Sequence, residues 1–198
     1  MRLLVVTAVD AERDAIDLPD VVAGGIGPAE SAAAASAALA GGSYDLVISA
    51  GIAGGFAPLG IGDIAVASTI AFADLGTETA SGFEALSPAT AQYEVAPQLA
   101  VELADRTGGH LGTIVTVATV TGTAATADDL VGRYPDVVAE AMEGAGVAAA
   151  ATRHGVAFAE VRAISNAVGP RDRASWRIED ALAALGPAVE AAARGWQA

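Results

Sequence analysis

Two kinds of apolar pattern alternate along this chain. Leu3-Leu4-Val5-Val6-Thr7 is a continuous apolar run, the signature of a strand buried on both faces, and Tyr44 to Ala50 makes the next core strand. Val21 to Ala23, Ile64 to Ile70, Leu111 to Thr121, Val137 to Met142 and Phe158 to Ser165 read as further strands. Between them lie helical signals. Asp10 to Ile16 carries its acids in the first turn, and Pro28 suits the first position of an alanine-rich helix to Leu39. Tyr93 to Thr107 contains a helix closed by Gly108-Gly109, and Thr126, Asp128 and Asp129 open a short one that ends by Pro135. Two more run from Gly144 to about Arg153 and from about Ser175 to about Arg194. Roughly six or seven strands alternating with helices predict an α/β fold, a three-layer sandwich with a mostly parallel, mixed central sheet. Residues 1–198 are expected to form a single domain, with no internal repeat or disordered tail.

The breaks in the pattern matter as much as the runs. Gly60-Ile61-Gly62-Asp63 is a turn, while Gly24-Gly25-Ile26-Gly27-Pro28 and Gly51-Ile52-Ala53-Gly54-Gly55 are expected to be glycine-rich turns after strands. Such turns can cradle an anion or let backbone approach a sugar. Neither has the lysine and hydroxyl of a P-loop, and Gly25 to Ala29 breaks the dinucleotide fingerprint. Ala71 to Ala91 is long and mixed, with Asp74, Glu78 and Glu84. It fits a substrate loop, a surface excursion or a subunit contact.

Composition then narrows the chemistry. There is no cysteine and there are two histidines, His110 and His154, each near a predicted helix end and read as a surface cap. Thiolate metal sites, cysteine nucleophiles and multi-histidine centres are excluded. Lys and Arg number 10 against 24 Asp and Glu, and the formal charge of −14 repels nucleic-acid phosphates. The apolar runs are short and interrupted, which argues against membrane insertion. The first run meets Asp10, Glu12 and Asp14 where a signal peptide would continue apolar. A soluble cytoplasmic protein is expected.

Glu143 stands out within Ala141-Met142-Glu143-Gly144-Ala145-Gly146, because a buried ionised group has to be paired, hydrogen-bonded or held for a ligand. The plain structural alternative is a carboxylate satisfied by the amides of the following helix's first turn. Glu12, Glu143 and Asn166 each follow a predicted core strand, and the C-terminal strand ends of an α/β sheet share one rim. This convergence favours an enzyme over a scaffold or interaction module. Two carboxylates and an amide suit cleavage of a glycosidic bond, where the sugar becomes cationic and a water must be activated. Mg²⁺ is the weaker use of the same carboxylates, since it wants several oxygens in an octahedron.

In four segments the chain resembles the nucleoside phosphorylase and nucleosidase superfamily, and within it the futalosine hydrolases. Thr7 to Glu12 looks like the family's first strand and catalytic glutamate, and Ser49 to Gly55 like its purine-side glycine loop. Glu140-Ala141-Met142-Glu143-Gly144-Ala145 resembles the ribose motif, and Arg162-Ala163-Ile164-Ser165-Asn166 the segment that handles the departing base. The resemblance implies a nucleoside phosphorylase-like fold, hydrolysis of an N-ribosidic bond, no metal or organic cofactor, and a homo-oligomer, dimer or tetramer. Glu12 would be the base for the attacking water. Glu143 would hold the ribose hydroxyls and stabilise the developing cation, with Met142 against the sugar. Gly54 and Phe72 are further expected substrate contacts.

Asn166 departs from the Asp usual in adenine-cleaving relatives. An amide can donate to N7 or to a 6-oxo group but cannot give up a proton, which fits a 6-oxopurine such as the hypoxanthine of futalosine. Futalosine also carries a benzoate, for which Arg171 or Arg173 would supply a cation and Trp176 an apolar cover. The alternative is that one arginine pairs with Asp172 while Trp176 packs the last helix. The implied pathway is menaquinone synthesis. Competing readings are a methylthioadenosine/adenosylhomocysteine nucleosidase, a purine nucleoside phosphorylase and a non-catalytic nucleoside-binding module. Phosphorolysis is disfavoured because Gly25-Ile26-Gly27 has no nearby arginine and Arg13 is the only basic residue near Glu12.

Overall fold

The structure is a computed structural model that describes residues 1–196. Its first strand, β1 (Leu3–Thr7), shows why the sequence is apolar without alternation. Leu3 and Val5 enter the main core, whereas Leu4 and Val6 enter another on the opposite face. The long strand β3 (Leu46–Gly55) does the same, with Leu46 and Ile48 on one side and Val47 on the other. At about 1.5–3 kcal/mol for each fully buried aliphatic side chain, such strands hold two layers at once.

One outer layer is α2 (Pro28–Gly41) with α6 (Gly144–His154), which contribute Ala35, Leu39, Val147 and Ala151. Their small side chains allow a close approach, and Ser31 Oγ of α2 donates to the Glu143 carbonyl at 3.1 Å. The other layer is α4 (Pro97–Thr107) with α7 (Ile178–Ala192), which add Leu103, Leu185 and Val189 to the main core. The short α1 (Asp10–Asp14) follows β1, and α5 (Ala124–Arg133) covers a smaller core around Phe56, Val115 and Leu130.

The sheet is mixed and mostly parallel, as the alternation of elements predicts. β1 is parallel to β2 (Val21–Ala23) and to β3, and β3 is parallel to β10 (Ala157–Ala167). β8 (His110–Thr116) is parallel to both β4 (Ile64–Phe72) and β9 (Val137–Ala141). The antiparallel pairs are β3 with β9, and β4 with β10 and with the short β7 (Gln92–Glu94). Because β10 bonds both β3 and β4, the strands β3, β10, β4, β8 and β9 close into a ring.

Several boundaries differ from the sequence expectation. Gly51 to Gly55 is no turn: β3 continues through it, paired with β10, because the missing Cβ atoms make room for side chains from neighbouring elements. Ala71 to Ala91 is less irregular than its composition suggests, holding the exposed hairpin of β5 (Gly76–Thr79) and β6 (Gly82–Ala85) and the single turn α3 (Pro88–Ala91). The strand expected to reach Thr121 stops at Thr116, after which the backbone amides of Ala118 and Thr119 donate to Asp74. A 3-10 turn, Arg173–Ser175, precedes α7. Both histidines are exposed. His154 ends α6 and bonds Ser36, while His110 opens β8. No helix among the described residues is long and apolar enough to cross a membrane.

Candidate active site

A cavity of about 270 Å³ lies where β1, β3, β9 and β10 end. Its lining includes Glu12, Gly54, Met142, Glu143, Asn166, Arg171 and Trp176, so seven expected site residues meet in one space. Phe72 does not belong to it, since it sits half-buried at the end of β4 and packs on the main core. Arg173 does not line it either. It stands exposed on a neighbouring shallow surface with Arg177 and the edge of Trp176.

Glu12 is buried although it belongs to a one-turn helix. Its Oε2 accepts from the backbone amides of Ala8 and Val9 at 2.9 and 3.2 Å, and its Oε1 from Ile52 at 2.9 Å. A carboxylate offers about four acceptor positions, so one remains on Oε1. Glu143 is also buried, directly before α6, but its side chain caps none of that helix's amides. Instead Oε1 accepts from Gly27 N at 3.2 Å, while Oε2 accepts from Met142 N at 3.3 Å and meets Arg162 Nη1 at 3.2 Å. First-turn capping is therefore not what holds this carboxylate.

Arg162 is the residue that strand-end reasoning passes over. It is wholly buried on β10, where Nε donates to Glu160 Oε1 at 2.8 Å and Nη2 to Ser49 Oγ at 2.9 Å. Burial opposes its charge, but Glu160, Glu143 and Glu12 outweigh that cost and raise its pKa. At Glu160, by contrast, burial wins, and the carboxyl is pushed up to about 7 although Arg162 pulls the other way. Gly51 makes the cluster possible: a Cβ there would sit 2.5 Å from Glu12 Oε1 and 2.6 Å from Arg162 Nη1. Glu12 and Glu143 thus converge on one guanidinium. The signal in the sequence is Glu160 and Arg162 two residues apart in an apolar strand, opposite charges on one face of a buried element.

Asn166 reaches the cavity through an irregularity. Ile164 pairs with Ala53 and Asn166 with Gly54, so Ser165 is an extra residue that bulges β10 and swings Asn166 onto the other face. There Asn166 Oδ1 accepts from Ser165 Oγ at 2.8 Å, and Nδ2 donates to Ala167 O at 2.9 Å. One N–H of the amide stays uncommitted. At the outer edge Trp176 is half-buried, with the guanidinium carbons of Arg171 and Arg173 each 6.0 Å from its ring centre. Asp172 pairs with neither arginine among the described residues. It caps the 3-10 turn through Ala174 N at 3.0 Å.

The chain as a whole is similar to known proteins. The family model described as Phosphorylase superfamily matches residues 20–194. Futalosine hydrolase of Streptomyces coelicolor is 48% identical, over 96% of this chain and 94% of that protein. Futalosine hydrolase of Acidothermus cellulolyticus is 45% identical, over 99% of this chain and 92% of that protein. The crystal structure of S-adenosylhomocysteine nucleosidase from Streptococcus pyogenes in complex with 5-methylthiotubericidin superimposes with a TM-score of 0.85. It covers 100% of this chain and 98% of that one at 21% identity, a likeness of fold. By sequence, architecture and the clustering of its strand-end residues, the chain belongs to the phosphorylase superfamily and, within it, to the futalosine hydrolases.

Proposed function

We propose that this chain is a single-domain cytoplasmic hydrolase that cleaves the N-ribosidic bond of futalosine, releasing hypoxanthine and dehypoxanthine futalosine for menaquinone synthesis. The observation that carries the reading is the pair of separately anchored carboxylates, Glu12 and Glu143, on one cavity wall around Arg162. As the bond to the base lengthens, positive charge grows on the sugar, and a buried wall of preorganised carboxylates stabilises it. The unused acceptor position of Glu12 takes a proton from the attacking water. Glu143 holds the ribose hydroxyls, and Met142 lies beside it against the sugar. The uncommitted N–H of Asn166 donates to N7 or the 6-oxo group as negative charge collects on the purine.

Arg171 is the one cation among the residues lining the cavity, and it stands exposed beside Trp176. It is suited to the benzoate carboxylate, with Trp176 against the ring and Arg173 as a second cation beyond it. A phosphate nucleophile would instead need a cation facing the cavity near Glu12, whereas Arg162 is wholly buried and committed to Glu160, Ser49 and Glu143, so water is the acceptor this wall supports. An assembly of identical chains, dimer or tetramer, belongs to the same proposal. The exposed Leu75, Phe83 and Leu86 around the hairpin are the surface it would cover.

The test is incubation with futalosine, inosine and methylthioadenosine, with and without phosphate, and chromatography of the free base. Hypoxanthine released fastest from futalosine, at a rate independent of phosphate, is the expected result. Preferential adenine release, or a rate that needs phosphate, would overturn it.

A further inference from the structure

Glu140 has no part in the steps above, yet it too is buried in the cavity lining. Its Oε1 accepts from the backbone amide of Thr121 at 2.9 Å, whereas Oε2 is buried with no hydrogen-bond partner among the described residues. Burial, with Asp74 adding to it, raises the carboxyl above its ordinary range, against the opposing Thr121 contact. An acceptor left bare in a protein interior is destabilising, so such an oxygen calls for a donor brought in by a ligand.

The sheet says where that donor would lie. Glu140 on β9 is the cross-strand partner of Gly54, and Gly54 is the partner of Asn166 on β10. Residues paired across adjacent strands share a face, so Glu140 and Asn166 flank Gly54, their backbones about 9–10 Å apart across two strand spacings. Gly54 itself adds no bulk, and a Cβ there would press on Val168 at 2.8 Å and on Asn166 Nδ2 at 3.3 Å. Val168, itself in the cavity lining, packs over Gly54, so the surface beside the two polar side chains is apolar and suited to the face of a planar ring.

We propose that Glu140 is the residue that reads N1 of the purine, its Oε2 accepting the N1–H that a 6-oxopurine carries. This rests on the nucleosidase reading given above and extends it to base specificity. Going round the ring from the edge assigned to Asn166, N7 and O6 are followed by N1. A 6-oxopurine presents a donor at that position, whereas a 6-aminopurine presents a lone pair, which would face the lone pairs of the carboxylate. Asn166 and Glu140 then check adjacent positions, and a substrate with the wrong base fails at both.

Two measurements test it. On the unaltered protein, competitive inhibition by hypoxanthine is compared with 1-deazahypoxanthine, in which a C–H replaces the N1–H without adding bulk. The deaza base should bind at least about tenfold more weakly, and equal inhibition would overturn the proposal. In Glu140→Gln the new amide can turn its N–H toward an unprotonated N1. The ratio of kcat/KM for futalosine over its 6-amino counterpart should fall at least about tenfold, with the rate on the 6-amino substrate rising in absolute terms. A merely damaged site would lower both rates together, and an unchanged ratio would count against Glu140. Should the variant not fold, the inhibition pair decides alone. Absence of futalosine cleavage by the unaltered protein would sink the broader reading, whereas cleavage with no discrimination at N1 would sink only this one.

Discussion

At the inner end of the cavity Glu12 and Glu143 are buried, with Glu160 and Arg162 buried outside its lining, and each is held by backbone amides, by a hydroxyl or by one another. At the outer end, Arg171, and Arg173 just outside the lining, are exposed and stand against the half-buried Trp176 in loose cation–aromatic contacts. The two ends answer different demands. Stabilising a short-lived cation requires charges that are already in place when the bond breaks, because reorganising them then would add to the barrier. Gripping a carboxylate tail on a substrate that must enter and leave tolerates side chains that reorient in water. Substitutions at the first end should therefore change kcat or folding, and at the second KM.

The largest effect is expected at Glu143. Glu143→Gln should lower kcat by about 10²–10³ and also lower the melting temperature, since the amide keeps an acceptor for only one of Gly27 and Met142 and gives up the charge facing Arg162. Turnover close to normal would remove Glu143 from the chemistry. Arg162→Met should act on folding first. It leaves Glu160 and Glu143 buried without their cation, a loss of about 3–5 kcal/mol measured by denaturant unfolding. A stable variant would mean that the cluster does not depend on the guanidinium. At the other end, Arg171→Ala should raise KM for futalosine about three- to tenfold and leave KM for inosine alone. An equal change for both would break the assignment of the tail.

The smallest effect is a pH trend. Glu160 titrates at about 7 in the folded chain against an ordinary 4.5, so the folded state holds this proton more tightly than the unfolded one. Its contribution to stability is complete below about 4.5 and is lost as pH rises through about 7. Relative to Glu160→Gln, the unaltered chain should lose melting temperature across that interval. Parallel curves would contradict the assignment.

Sequence and structure agree where the pattern is local. β1 carries its burial in consecutive apolar residues, β9 is short and apolar apart from Glu140, and the acid after each strand is conspicuous, which is why Glu12 and Glu143 are legible without coordinates. Long-range facts are not. The closure of the sheet depends on β10 pairing with β3 and β4 at once, and no single segment encodes that. Asn166 was legible as a residue, but the face it occupies is set by the bulge at Ser165. Phe72 looked like a loop residue because Ala71 to Ala91 is polar overall. It is the last residue of a core strand, and its ring is taken up by packing. Arg162 is not legible as a strand-end charge, since it lies in mid-strand, where it pairs with the carboxylates of Glu143 and Glu160.

The central claim is that a buried, prearranged carboxylate activates water at the sugar, and Glu12→Gln tests it most directly. Hypoxanthine release from futalosine would be followed in phosphate-free buffer, alongside the melting curves of both proteins. The expected result is a fall in kcat of about 10²–10⁴ with KM little changed, in a variant that still folds but melts somewhat lower, because the amide NH₂ must face the backbone N–H of Ile52 or those of Ala8 and Val9. A well-folded variant that turns over at nearly the normal rate would contradict it.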